Sequence, residues 1–375
     1  MPTLFEKTWI KSLELSNRAV RSATWTGLAD DRGYVTDKAV EFYRELGRGG
    51  IGLIVTGYQF VMPNGRQLPY QMGNYEDDQI EGLARLASAV HEEGGKIAAQ
   101  LVHCGARASK DLIPEGWEVW AASPIADVAS DTIPKEMSVA EIAQVVEAFA
   151  AAAARSVKAG FDAVQLHGAH GYGVNQFLSG ATNKRGDRYG GDVKKRYRFL
   201  GEVLEAVRAA VGEDYPVMIK LNGHDYADGG IVPEEALEIA RRLAEDGIDA
   251  IEVSGGTPAS GPKMGPSRPG ILKESDEAYL ADIAAFIRQR VKVPLITVGG
   301  IRSLKIIQEI FDNGKADYVA LSRPLIREPH LINRWKSGDT ERAVCISCRG
   351  CFDTGYKGLG ISCKVERERK EREEA

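Results

Sequence analysis

No run of apolar residues in this 375-residue chain approaches the ~20 that a membrane-crossing helix needs, so no membrane partner is expected. The opening MPTLFEKTWIKS lacks the charged-then-apolar pattern of a secretory leader, and a cytoplasmic protein is the resulting expectation. Basic residues are outnumbered, 48 against 53 acidic, and they form no long stripe, which argues against a nucleic-acid partner. No G-x-G-x-x-G follows the first apolar strand, and this lowers the case for a doubly wound dinucleotide fold. No serine or cysteine stands in the surroundings of an activated nucleophile. Cysteine itself is scarce, five in all. Cys104 stands alone, and the other four are bunched between positions 345 and 363. In a cytosolic chain, such bunching points to metal or redox chemistry rather than to disulfides.

The chain does contain a repeated alternation. Short, continuously apolar runs are expected as strands at 19–22, 51–56, 97–101, 163–166, 217–221, 250–254, 295–298 and 318–321. Between them lie stretches of helical spacing, at 36–48, 77–93, 138–159, 194–211, 232–246, 275–290 and 303–313. Ser138 and Glu141 form a capping box at the start of one of these helices. Eight apolar strands alternating with helices predict a mixed α/β fold, a (β/α)8 TIM barrel, over residues 1–336. Residues 337–375 then form a short C-terminal cysteine-rich segment ending in a solvated charged tail. Positions 104–137, without clear periodicity, read as an inserted loop.

In such a barrel the chemistry sits at the C-terminal ends of the strands. The fourth strand delivers His167, His170 and Tyr172 in quick succession: two imidazoles to grip an electron-rich oxygen and a phenol to deliver a proton. Gln100 ends the third strand and suits the edge of an amide-like heterocycle. Lys220 places a cation at the end of the fifth. Gly299 and Gly300 precede a helix, with Ser322 and Arg323 ending the last strand; bare backbone and a guanidinium fork make a phosphate site. The ring is therefore expected to hold a large phosphorylated heterocycle, which suits a flavin. Glu252 and Asp162 lie on strands as acids without an obvious pair. The loop 255–270 is expected over the site, with Arg268 either pairing with an anion or solvated.

These residues resemble the Old Yellow Enzyme family of FMN-dependent (β/α)8 oxidoreductases. The likeness runs from LSNRAVRSAT to ADYVALSRPLIREP and is sharpest in HGAHGYGVNQFLS and NKRGDRYGG. It implies an NAD(P)H:flavin oxidoreductase of the ene-reductase type, acting on a small-molecule C=C bond conjugated to a carbonyl: an enone, enoate or enoyl thioester. By position, Ala23, Thr24 and Trp25 would line the flavin pyrimidine edge and N5 side, continued by Gly57, Tyr58 and Gln100. Gly299, Gly300, Ser322 and Arg323 would hold the FMN phosphate. His167 and His170 would bind the substrate carbonyl, and Tyr172 would protonate the α-carbon. Lys220 stands where many members carry Arg, keeping the charge but losing the planar fork. Trp25 stands where relatives often carry Cys, Thr or His.

The spacing C-x2-C-x2-C-x11-C over Cys345, Cys348, Cys351 and Cys363 suits a tetrathiolate site for an Fe–S cluster or for zinc. The trimethylamine dehydrogenase and 2,4-dienoyl-CoA reductase group has similar spacing just after its barrel, and this implies a [4Fe–4S] cluster, with zinc as the structural alternative. Those larger relatives continue into a region binding FAD or ADP, whereas this sequence stops short of one. The resemblance thus implies electron exchange with an electron-transfer protein or partner subunit if the cluster forms, and direct reduction of FMN by NAD(P)H otherwise. An iron–sulfur amine dehydrogenase or an electron-transfer subunit is the alternative reading. Homo-oligomers are common in the family.

Overall fold

The structure, a computed structural model, describes residues 2–374. Eight parallel strands form its centre: β1 (Ala19–Arg21), β2 (Leu53–Val55), β3 (Ile97–Val102), β4 (Ala163–Gly168), β5 (Val217–Asn222), β6 (Ala250–Ser254), β7 (Leu295–Val298) and β8 (Tyr318–Leu321). Each pairs with the next in the chain, and β8 pairs back onto β1, so the sheet closes. This is the expected (β/α)8 barrel, with strands at the expected positions.

Every residue of β3, β4, β5 and β6 is buried, as a parallel sheet covered on both faces requires. Inside the barrel, Val20, Leu53, Val55, Ala98, Ala163, Met218, Ala250, Ile296 and Ala320 pack together. An antiparallel hairpin, Thr8–Ile10 against Leu13–Leu15, adds Ile10, Leu13 and Leu15 to that cluster and plugs one end. The hairpin leads directly into β1. The outer core joins the outward strand residues to the buried faces of the helices. Ser138 and Glu141 make the expected capping box at the start of helix Val139–Lys158.

Local differences have local causes. The helix expected from Ser275 begins at Ala281, because Ala278 holds a left-handed backbone (φ 54°) that a right-handed helix cannot continue through. A six-residue helix, Gly173–Leu178, follows Tyr172 and is too short to print a periodic signal. The stretch 104–137 carries a small parallel pair, Trp120–Ala121 with Lys135–Glu136. The charged tail is solvated but helical over Lys364–Glu373, with Arg369 and Glu373 paired at 3.1 Å one turn apart.

Residues 337–374 do not trail away from the barrel. The backbone N–H of Ala343 donates to the Arg302 carbonyl at 2.9 Å, that of Gly270 to the Ser347 carbonyl at 3.2 Å, and that of Ile361 to the Thr26 carbonyl at 2.8 Å. These bonds tie the segment to loops that follow β7, β6 and β1, at the C-terminal mouth. Among the described residues, no helix is long and apolar enough to cross a membrane.

Candidate active site

Strand register builds the floor of the site. Lys220 on β5 is paired side by side with His167 on β4 and Glu252 on β6, and Gln100 on β3 with Gln165 on β4. From this alignment a continuous polar chain crosses the barrel. Lys220 Nζ lies 3.1 Å from Glu252 Oε1 and donates to Ser22 Oγ at 2.7 Å. Ser22 Oγ donates to Glu252 Oε1 at 2.6 Å, and Gln165 Nε2 to Glu252 Oε2 at 3.0 Å. Gln100 Nε2 in turn donates to Gln165 Oε1 at 2.7 Å. One polar atom of this chain is left over: the buried Gln100 Oε1 has no partner. A buried acceptor without a donor is costly, so it marks a place where a ligand N–H fits. Beside this floor, Gly57 donates its N–H to Tyr43 Oη at 2.8 Å, and a Cβ there would stand 2.7 Å from the Thr24 carbonyl oxygen.

Above the floor lies a cavity of about 350 Å³. Ala23, Thr24, Trp25, Tyr58, His170, Tyr172, Lys220, Gly299, Gly300, Ser322 and Arg323 all line it. Three further expected residues stand just behind the wall: Gln100 and Gly57, already placed, and His167. Lys220 is not a free cation, since Glu252 balances it. At one end, Arg323 Nη1 is held by the Arg268 carbonyl at 2.9 Å, and Thr24 Oγ1 lies 2.6 Å from Ser322 Oγ. Among the described residues, no protein group accepts from the other Arg323 nitrogens, which leaves the fork available to an anion. Gly300 has φ 70°, and a Cβ there would stand 3.0 Å from Ile271 and 3.1 Å from Tyr279, tighter than an ordinary contact. The Arg268 guanidinium stacks 4.1 Å over the Tyr279 ring, and its Nε and Nη2 have no hydrogen-bond partner among the described residues.

At the other end, Tyr172 donates to Gln67 Oε1 at 2.9 Å, and Tyr58 donates to the same oxygen at 3.2 Å. The His167 ring packs 4.6 Å from Tyr172 and 5.3 Å from His170. His170 has a left-handed backbone (φ 64°), and its Nε2 lies 2.7 Å from Ser254 Oγ. Burial holds both imidazoles well below their ordinary range, helped by the charges of Lys220 and Arg107, so both are neutral near pH 7. Burial also raises the Tyr172 and Tyr58 phenols. These groups can therefore donate hydrogen bonds to an oxygen, and a phenol can yield its proton to a stronger base.

The C-terminal segment contributes to the same cavity. Ser347, Arg349, Phe352 and Tyr356 line it, with Tyr356 4.9 Å from the Trp25 ring and Phe352 at 6.4 Å. The four cysteines expected as metal ligands lie in this segment, all as free thiols: Cys345 and Cys351 buried, Cys363 partly so, Cys348 exposed. Burial raises the Cys351 thiol to about 12, and the nearby Cys345, Cys363 and Cys348 add to the rise. The four are thus neighbours, yet among the described residues no group of three or more His, Cys, Asp or Glu is arranged to hold a metal ion.

Sequence reasoning missed Ser22, Gln67, Arg107, Gln165, Ser254 and the pairing of Glu252. A polar residue within an otherwise apolar strand, two before His167, was a signal for Gln165, since alternate residues share a face. Asp162, by contrast, lies outside this group and accepts from Lys96 and His91.

The match to the NADH:flavin oxidoreductase / NADH oxidase family covers residues 3–341. An NADH oxidase of Thermoanaerobacter brockii is 36% identical over 368 residues, 97% of this chain and 56% of that protein. This chain thus spans little more than half the length of that relative. An NADPH dehydrogenase of Clostridium acetobutylicum is 37% identical over 330 residues, 88% of this chain and 93% of that one. Among solved structures, 2-naphthoyl-CoA reductase in complex with 2-naphthoyl-CoA superposes with a TM-score of 0.88 at 27% identity, over 97% of this chain and 56% of that chain. The barrel, the cavity at its mouth and these likenesses agree: the chain belongs to the NADH:flavin oxidoreductase / NADH oxidase family, that of Old Yellow Enzyme.

Proposed function

We propose that this protein is an FMN-dependent NAD(P)H oxidoreductase that reduces a C=C bond conjugated to a carbonyl. The observation that carries the reading is the polarity of one cavity, with the Arg323 fork at one end and Tyr172 and His170 at the other, the His167 ring packed against both. FMN fits the residues present: Arg323, Gly299, Gly300 and Ser322 would hold its phosphate, Gln100 Oε1 would accept a ring N–H, and Ala23, Thr24, Trp25, Gly57 and Tyr58 would border the ring. Bound there, the flavin supplies hydride taken from NAD(P)H.

The remaining chemistry belongs to the chain. Hydride addition at the β-carbon of an unsaturated carbonyl puts negative charge on the oxygen. Two neutral imidazoles can donate to that oxygen without bringing a competing charge, which lowers the barrier by electrostatic stabilisation. Ser254 Oγ lies 2.7 Å from His170 Nε2, so that ring nitrogen already holds a hydrogen-bond partner at the edge of the cavity. Tyr172 then delivers its proton to the α-carbon, and Gln67 holds that phenolic proton until it is needed. Lys220, neutralised by Glu252, keeps the floor rigid rather than acting as a free cation.

A second reading rests on the gathering of Cys345, Cys348 and Cys363 around Cys351, in the segment that lines the cavity. In it the quartet closes on a [4Fe–4S] cluster, or on zinc, and with iron the protein exchanges electrons with a separate carrier protein, as an amine dehydrogenase or an electron-transfer subunit would. Iron, sulfide and zinc analysis of anaerobically purified protein separates these forms.

Tyr172→Phe tests the main reading. Flavin reduction by NAD(P)H stays near wild type, and reoxidation by an enone slows on the order of 10²-fold or more, the range for loss of a general acid. Equal rates in both half-reactions would remove Tyr172 from the proton step.

A further inference from the structure

Arg107 lies in the aperiodic stretch after β3, and no part of the reading above uses it. It lines the cavity. Its guanidinium carbon stands 4.5 Å over the centre of the Tyr172 ring. Its Nη1 donates to the His170 carbonyl at 3.0 Å. Its Nε faces Asp127 at 3.7 Å, beyond hydrogen-bond range, and has no other partner. One side chain therefore touches both Tyr172 and His170.

Each contact has a physical consequence. His170 sits at φ 64°, a conformation that a non-glycine residue keeps only when its surroundings over-determine it. Its N–H donates to Asn222 Oδ1 at 3.2 Å and its carbonyl accepts from Arg107, so the peptide groups on both sides of the strained residue are pinned. A cation on a ring face is attracted to the π-system, and more strongly once the phenol carries negative charge. The other titratable groups facing Tyr172 do not compete. Tyr58 and Cys104 are neutral because burial raises both, and His167 and His170 are neutral because burial lowers both. Lys220 is paired with Glu252 at 3.1 Å and is not among the charges acting on this phenol. Burial raises the phenol most; of the groups that carry charge, Arg107 lowers it and Asp127 raises it.

We propose that Arg107 is the positioning residue of the proton-delivery end: it fixes the His170 backbone and lays its charge on the Tyr172 ring where negative charge develops as the proton leaves. The inference rests on Tyr172 as proton donor for its meaning in catalysis, but its structural content stands apart and is measured apart.

The test places 3,5-difluorotyrosine at position 172 of the flavin-loaded protein, which brings the phenol titration into an accessible range, and follows the fluorine resonance against pH. Arg107→Gln raises the midpoint by about one pH unit, the scale of a buried cation–π contact. Arg107→Lys keeps the charge and restores most of that shift. Asp127→Asn, which leaves the guanidinium unopposed, moves the midpoint the other way, and it carries the test if the Arg107 variants do not fold. An unchanged midpoint in Arg107→Gln, an equal shift in Arg107→Lys and Arg107→Gln, or no downward shift in Asp127→Asn would overturn the proposal. The proton-donor reading fails separately, through unaltered half-reactions in Tyr172→Phe.

Discussion

Lys220 Nζ and Glu252 Oε1 stand 3.1 Å apart in the floor of the barrel mouth, with both side chains closed off from solvent. Removing one partner of such a pair leaves an uncompensated buried charge. Lys220→Met is therefore expected to cost about 3–5 kcal/mol of stability, measured by urea unfolding. Adding Glu252→Gln to it removes the orphaned charge and recovers most of the loss. A double variant no more stable than the single one would mean that the pair is not coupled in this way.

The glycine turn after β7 makes a second prediction. Gly299 has φ 138°, and a Cβ there would lie 3.0 Å from the Tyr279 ring. Gly299→Ala is expected to lower the flavin absorbance per chain while leaving the far-ultraviolet circular dichroism intact. Full flavin content in this variant would take the turn out of the cofactor site.

Acid sensitivity should come from buried imidazoles. His103 accepts from the Gly105 N–H at 3.1 Å through Nδ1, and its Nε2 faces Asn64 Oδ1 at 3.3 Å, so both ring nitrogens are committed in the neutral form. Burial lowers this group from 6.5 to about 4. The unfolded chain binds the proton first as pH falls. The stabilising contribution is thus present above pH 6.5 and is lost as the pH drops toward 4, at roughly 1.4 kcal/mol per pH unit. His167 and His170, lowered in the same direction, steepen the fall. His103→Gln should flatten the dependence of the unfolding midpoint on pH over this window; an unaltered slope would contradict the assignment.

The barrel was legible in the sequence because each strand is a short, mostly apolar run closed by glycine or a polar turn, a pattern that survives without tertiary information. The cavity-lining residues at strand ends were legible for the same reason: once strands are placed, the next residue is placed. The partner of Lys220 was not, since it is decided by register between β5 and β6. Gln67 and Arg107 come from loops without periodicity, and only the folded chain brings them onto Tyr172. The packing of Phe352 and Tyr356 against Trp25 likewise depends on a long-range contact that neither local pattern records.

The most direct test of the central claim is the absorption spectrum of the purified protein, with the released chromophore identified after denaturation. The expected result is bound-flavin absorption and FMN released in a ratio approaching one per chain, with Arg323→Ala losing most of it. A colourless protein that also fails to take up added FMN would contradict the account.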